Sequence, residues 1–314
     1  MLCVPPVTMS ASLPLVRNVS GLPGGQQWLA RLPDLVGEMC ERWALRLGRS
    51  YDGGSCSWAA EAWLPDGTPA VLKVGWPHPE AEGEAAALRL WDGRGAVRVH
   101  RHDARRHALL LERCTPGGGL GAADGLTAEE RLLTGAGVLA ELWGAATAVD
   151  GGFDRLADVT AGWAGLVEER MERHRPPFDP GLVALGVRLL RELPGSASRE
   201  VVVHGDFNPG NVLAATRRPW LAIDPKPMAG DPAYDPWPLL EQIDDPFAHP
   251  APGRVLAGRF ALVADALGED VARLEAWAVA RRVETALWLT EHGHVGDAAG
   301  VLREARTVAD LAGL

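Results

Sequence analysis

Val201-Val202-Val203-His204-Gly205-Asp206-Phe207-Asn208-Pro209-Gly210-Asn211-Val212-Leu213 is the stretch whose reading decides the fold. It opens on a β-branched apolar run, which predicts a short buried strand. It then turns through Gly, Asp, Asn, Pro and Gly and re-enters an apolar strand at Val212-Leu213. A polar loop held between two buried strands is a rigid platform for side chains that must be aimed. Downstream, Trp220-Leu221-Ala222-Ile223 predicts another apolar strand, and it ends in Asp224. The candidate set is therefore His204, Asp206, Asn211 and Asp224.

That spacing has a chemical reason. Phosphoryl transfer asks a protein for positioning and for charge neutralisation. One carboxylate accepts the proton of the attacking hydroxyl, and an amide and a second carboxylate hold Mg²⁺ against the phosphates of ATP. Protein kinases do this with an H-R-D-x-x-x-x-N loop and a metal-binding Asp nearby. The corresponding residues here are His204-Gly205-Asp206, with Asp206 as base, then Asn211 and Asp224 as metal ligands. Any one of these alone reads as part of a solvated Asp/Asn turn. The full constellation, with both strands in place, does not.

H-G-D-x-x-x-x-N followed by I-D resembles the aminoglycoside phosphotransferase family. The wording His204-Gly-Asp-Phe-Asn-Pro-Gly-Asn-Val-Leu, then Leu-Ala-Ile-Asp-Pro-Lys226 and Ala233-Tyr-Asp235, is similar to its streptomycin kinase and hydroxyurea kinase subgroup. The resemblance runs from about Tyr51 to about Trp288. It implies an α+β, two-lobed protein-kinase-like fold. Residues 1–114 would form a small N-terminal lobe of antiparallel sheet with helices, which binds nucleotide. Residues 115–314 would form a larger, mainly helical lobe carrying catalysis and the substrate. It also implies ATP- and Mg²⁺-dependent phosphorylation of a small-molecule hydroxyl, with an antibiotic such as streptomycin or hydroxyurea as the first expectation. A metabolic alcohol (a sugar, a choline-like or a homoserine-like compound) is the alternative acceptor on the same fold. A nucleotide-binding regulator without turnover is disfavoured, because none of the catalytic residue types is missing. An interaction module for a basic protein rests on negative charge alone.

A length of 314 residues, 47% hydrophobic and 23% charged, suits a globular protein with a real core. The net charge of -10 argues against nucleic acid as a partner and is compatible with a cationic small-molecule acceptor. Cys3, Cys40, Cys56 and Cys114 show no C-x-x-C pairing, so neither a zinc site nor a disulfide framework is indicated. No run approaches the roughly 18 apolar residues of a membrane span. The first residues lack the basic and apolar segments of a signal peptide, so a reducing cytoplasm is the expected setting. Of 31 basic residues only Lys73 and Lys226 are lysines. Where any cation serves, this chain uses Arg, so the two exceptions mark candidate sites for a compact ammonium.

In the N-terminal part, Pro33 to Leu47 predicts a helix with Pro33 in its first turn. Tyr51 to Trp58 reads as a small-residue turn, Ala59 to Leu64 as a strand, Pro65-Asp66-Gly67 as a hairpin turn and Pro69 to Val74 as the returning strand. Gly53-Gly54-Ser55, one hairpin ahead of Lys73, is a candidate phosphate-covering turn, with Lys73 gripping the α- and β-phosphates. A helix from about Pro79 to Trp91 offers Glu84 to hold Lys73, with Glu80 as its rival one turn away. Ala96 to Val99 and Ala108 to Glu112 read as further strands. The turn between them carries His100, His102 and His107 among arginines and reads as solvated. In the family resembled, backbone groups at Glu112 and Cys114 would meet the adenine edge.

The C-terminal part predicts helices: one opened by a capping box at Thr127 and Glu130, then Trp163 to Arg173, Pro180 to Leu193, Arg254 to Leu267, Asp270 to Glu291 and Asp297 to Leu311. Of the twelve tryptophans, those at helical spacing such as Trp277 and Trp288 read as core. By resemblance Asp235 braces the catalytic loop. Lys226 either stabilises transferred phosphate charge or pairs with a nearby carboxylate. Glu241, Asp244, Asp245, Glu284 and Glu291 follow the catalytic segment where the family places its acceptor. Asp206, Lys226, Asp244, Asp245 and Glu284 are therefore the acceptor-side candidates.

Overall fold

The computed structural model of the protein describes residues 13–78, 83–145 and 152–314. The chain divides into two compact units between Gly117 and Gly118.

The first unit is built on a five-stranded sheet in the order β1-β2-β3-β5-β4. Its strands are β1 (Arg46–Tyr51), β2 (Ser57–Trp63), β3 (Pro69–Gly75), β4 (Val99–Asp103) and β5 (Ala108–Glu112). The neighbours are antiparallel, with Ala59 opposite Lys73 and Lys73 opposite Leu109. Trp58, Ala60 and Ala62 of β2 and Ala70, Leu72 and Val74 of β3 alternate into one core. The period of two therefore turns Lys73 to the other face.

The helices of this unit are α1 (Pro14–Ser20), α2 (Gly25–Trp43) and α3 (Glu84–Trp91). The structure corrects the first predicted helix. It begins at Gly25, with Pro33 in its interior, and not at Pro33. A proline there removes one helical hydrogen bond, at a cost of about 3 kcal/mol. Burial of Leu32, Val36, Met39 and Trp43 against the sheet outweighs it. The helix also stops early. Ala44 turns into the left-handed region at φ 52°, its N–H reaching back to Cys40 and Glu41 carbonyls. Leu47 therefore belongs to β1, a strand the sequence pattern did not reveal because Arg46, Gly48 and Arg49 blur its alternation. The start predicted for α3, from Pro79, lies outside the described residues.

In the second unit the helices are α4 (Ala128–Gly144), α5 (Leu156–His174), α6 (Pro180–Glu192), α7 (Trp237–Gln242), α8 (Pro252–Leu267), α9 (Val271–Glu291) and α10 (Val295–Ala312). The capping box forms as expected: Thr127 Oγ1 accepts from Glu130 N–H, and the Glu130 carboxylate accepts from Thr127 N–H. Two short antiparallel strand pairs are set among the helices. One pairs β6 (Val201–Val203) with β9 (Met228–Gly230), the other β7 (Val212–Ala214) with β8 (Trp220–Ala222). Trp277 is fully buried, but Trp288 is 45% exposed and stacks on His292. The core reading of Trp288 is thereby corrected: i, i+4 pairing on a solvent face uses the same spacing as a core stripe.

Helix α6 crosses α9 at Gly186. A Cβ there would fall 2.5 Å from Val283 Cβ and within 2.7 Å of both its methyls. Gly186→Ala should gain about 1 kcal/mol of helix propensity and lose about 1–3 kcal/mol to overpacking a β-branched neighbour. The expected net result is a lower midpoint of urea unfolding. An unchanged or higher midpoint would show that the crossing relaxes freely.

Candidate active site

Strand β6 delivers His204 and Asp206 to a loop whose shape is dictated by one buried carboxylate. Asp235 Oδ2 accepts from His204 N–H at 2.7 Å, and Oδ1 from Gly205 N–H at 2.8 Å. The Trp143 indole from α4 donates to Oδ2 at 3.2 Å. Burial pushes the Asp235 carboxyl above its ordinary range, and these three N–H donors oppose that push.

His204 is fully buried, and burial is the main cause that holds its pKa below the usual imidazole value. Its Nδ1 accepts from Asp206 N–H at 3.3 Å, so Nε2 carries the proton and donates to Ile223 O at 3.0 Å. The ring thus ties Asp206 to the residue before Asp224. With both nitrogens bound to backbone, it sits inside the site as a spacer.

Asn208 was not singled out in the sequence, although Asn-Pro-Gly is an Asx-turn signature that could have found it. Its Oδ1 accepts from Gly210 and Asn211 N–H groups, and its Nδ2 donates to Asp206 Oδ1 at 3.1 Å. It therefore fixes the rotamer of the candidate base. Asn211 Nδ2 donates to Asp206 O at 2.9 Å, which fixes the amide and leaves Oδ1 as its hard oxygen. The β7–β8 ladder continues through Ile223 N–H to Asn211 O at 2.9 Å, so Asn211 and Asp224 leave the same end of one hairpin. Asp224 adopts φ 57°, a left-handed conformation that costs a non-glycine residue energy and redirects its carboxylate. One amide oxygen and one carboxylate are a donor set that fits Mg²⁺, which takes few protein ligands and keeps phosphate oxygens and water for the rest. Among the described residues no group of three or more His, Cys, Asp or Glu is placed to hold a metal by itself.

In the first unit, Lys73 Nζ lies 2.7 Å from both Glu84 carboxylate oxygens. Both side chains are largely buried. A buried ion pair is weak grounds for stability, since desolvation consumes much of the attraction. Here its effect is orientation of a lysine on β3. Glu80 lies outside the described residues. Gly53-Gly54-Ser55 forms the β1–β2 connection, and a Cβ on Gly54 would meet Ser57 O at 2.1 Å. Asn18 of α1 donates to Ser55 O at 3.2 Å, a support for this turn that had no sequence signal. Glu112 ends β5, its N–H bonded to Arg98 O, and Cys114 follows it. His100, His102 and His107 form no metal cluster among the described residues.

The family of aminoglycoside/hydroxyurea antibiotic resistance kinases matches residues 42–293. The chain belongs to this family. It is 39% identical over 276 residues to a streptomycin 6-kinase of Streptomyces glaucescens, covering 86% of each chain. It is 35% identical over 289 residues to a hydroxyurea phosphotransferase of Kitasatospora aureofaciens, covering 92% of this chain and 82% of that one. Its fold is similar to that of the choline kinase LicA from Streptococcus pneumoniae, with a TM-score of 0.62, 13% identity, and 91% and 99% of the two chains covered. Among the described residues no helix of this kinase is long and apolar enough to cross a membrane.

The acidic residues on the acceptor side carry ion pairs and caps of their own. Glu241 and Glu304 share Arg282, at 3.1 and 2.6 Å. Glu284 meets Arg170 at 3.3 Å, and Glu291 meets Arg173 and His174 at 2.8 Å. Asp245 accepts from Phe247 N–H, capping a short turn. Asp244 is exposed, 3.4 Å from His249 and 3.8 Å from Arg259. Arginines of neighbouring helices meet most of this set.

Gly205 is the most constrained point of the loop. Its φ is 81°, and a Cβ would fall 1.9 Å from Lys226 O. Gly205→Ala should therefore displace the loop from residue 226, lowering turnover by at least about tenfold, since small misplacements of reacting groups cost this much, and also lowering the melting temperature. Wild-type turnover in that variant would remove the loop geometry from the account.

Proposed function

We propose that this kinase transfers the γ-phosphoryl group of ATP to a hydroxyl of a small antibiotic, with a streptomycin-type compound as the first acceptor to test. The observation that carries the reading is Asp206. Its carboxylate is aimed by Asn208, its backbone is fixed by His204 and Asn211, and it remains partly open to solvent. A carboxylate so held can take the proton of an attacking hydroxyl. Asn211 Oδ1 and Asp224 would hold Mg²⁺, which when bound neutralises phosphate charge. Lys73, oriented by Glu84, would grip the α- and β-phosphates, under backbone N–H groups of the Gly53-Gly54-Ser55 turn, while Glu112 and Cys114 would meet the base. The relatives from Streptomyces and Kitasatospora support an antibiotic acceptor by their names, a streptomycin 6-kinase and a hydroxyurea phosphotransferase.

The test is an ATP-consumption screen over streptomycin, other aminoglycosides, hydroxyurea and small alcohols, followed by mass spectrometry of the product. Transfer to streptomycin is expected. Transfer only to a metabolic alcohol would replace the acceptor, and no Mg-ATP-dependent turnover with any compound would overturn the reading.

Three variants check the roles. Asp206→Asn keeps size and hydrogen bonding but accepts no proton, so kcat should fall by roughly 10² or more with KM for ATP nearly unchanged. Asp224→Ala should abolish activity at ordinary Mg²⁺, and higher Mg²⁺ should restore part of it. Lys73→Arg should be poor despite its charge, because a guanidinium does not fit a pair built around one ammonium. Steady-state kinetics with varied ATP and Mg²⁺ read all three, and a fully active Lys73→Arg enzyme would exclude a specific role for the ammonium.

A further inference from the structure

Lys226 stands two residues beyond Asp224, on the segment that follows β8. Its Nζ lies 3.5 Å from Asp206 Oδ2. Its backbone is locked to the catalytic loop twice: its N–H donates to His204 O at 2.8 Å, and its carbonyl rests against the bare Cα of Gly205. Pro225, buried and with its φ fixed by the ring, precedes it. The backbone of Lys226 is thus held against the catalytic loop, which keeps this ammonium within reach of Asp206.

Stability does not account for the pair. The two side chains are 42% and 31% exposed, and an ion pair this open to water contributes little to folding. Nor does the chain's habit account for it, since nearly every other cation in the sequence is arginine. A compact, mobile ammonium has been kept at the one carboxylate proposed to receive a proton.

We propose that Lys226 is a second catalytic residue of this reaction, a cation that passes from Asp206 to the transferred phosphoryl group. The proposal rests on the phosphotransferase reading above. In the step, a lone pair of the acceptor oxygen forms the new O–P bond. The bond from the γ-phosphorus to the β,γ-bridging oxygen breaks, and its electron pair leaves on ADP. The hydroxyl proton moves to the Asp206 carboxylate. Asp206 thereby loses the charge that held Lys226, at the moment negative charge spreads over the phosphoryl oxygens. An ammonium held 3.5 Å from the base has only a short way to move to stabilise that charge.

The experiment compares wild type, Lys226→Met, Asp206→Asn and the double variant. Two quantities are read. The first is transfer from labelled Mg-ATP to the acceptor found in the screen. The second is calorimetric affinity for Mg-ADP with and without aluminium fluoride, a planar mimic of the phosphoryl group in flight. Lys226→Met should lower kcat by about 10²-fold, the size typical of one lost charge stabiliser, with KM for ATP within about threefold. It should weaken the aluminium fluoride complex at least about tenfold while leaving Mg-ADP alone within about threefold, the pattern of an interaction made only in the transition state. The double variant should be slower than Asp206→Asn by a further factor of about ten or more, less than the loss in Lys226→Met because groups in contact are not additive.

A double variant no slower than Asp206→Asn would mean that Lys226 only positions the base, and would overturn the proposal. An unchanged affinity for the mimic would do the same. If wild type transfers phosphate to no acceptor, the phosphotransferase reading fails, and the mimic titration still decides whether Lys226 senses a phosphoryl group. Because the side chain is partly exposed, Lys226→Gln repeats the series should the Met variant be poorly soluble.

Discussion

A carboxylate taken out of water is costly unless donors replace the water, and Asp235 is fully buried with three N–H groups on it. That demand shapes the second unit. Two of the donors are consecutive backbone amides, of His204 and Gly205. Satisfying both forces the turn that Gly205 alone can make, at φ 81° and against the Lys226 carbonyl. The turn drives His204 inward, where its two nitrogens are taken by Asp206 N–H and Ile223 O. One buried carboxylate therefore fixes Asp206, the end of β8 and the segment carrying Lys226.

Asp231 acts similarly one turn earlier. It is buried, accepts from Ala233 N–H and binds Arg273 and the Trp277 indole of α9. Asp231 and Asp235 bracket the short turn at Pro232–Tyr234, so the catalytic strand pairs are anchored to α4 on one side and α9 on the other. Low-dielectric networks of this kind are rigid when every member is satisfied. They explain why short strands of three residues can hold chemistry in place: their hydrogen bonds are few, but the carboxylates behind them are not free to let go.

How much of this was legible in the sequence follows from how local each signal is. The loop from His204 to Asn211 and the strand into Asp224 were readable, because strand, turn and strand are written in consecutive residues. Lys73 and Glu84 were readable as a pair, although spacing alone left Glu80 as a rival one turn away. Strand β1 was not readable, because a register shift between Leu47 and Ser50 breaks its alternation and none of its residues is fully buried. The interior position of Pro33 ran against local propensity, and only the burial of the stripe around it decides for helix. Asn208 carried a signal that was read as a turn and not as a ligand of the base. The resemblance implied Asp235 as a brace of the catalytic loop, but Trp143 lies far from it in sequence and no local pattern pointed to that residue.

The charge of the chain shows the same limit from another side. A surplus of acids suggests a wall for a cationic acceptor, but an acid attracts a ligand only with the charge its own neighbours leave over. Arg170, Arg173 and Arg282 already meet Glu284, Glu291, Glu241 and Glu304. Arg259, buried, spends its donors on the Leu240, Ile243 and Asp244 carbonyls and so stabilises the end of α7. What remains of the net -10 acts as a diffuse field, which salt screens within about 8 Å at physiological ionic strength. Such a field can raise the encounter rate of a cation without choosing among cations. Selection of one acceptor hydroxyl over another must then come from shape and from hydrogen bonds at fixed distance from Asp206, the kind of contact that the Asp235 network is built to hold still.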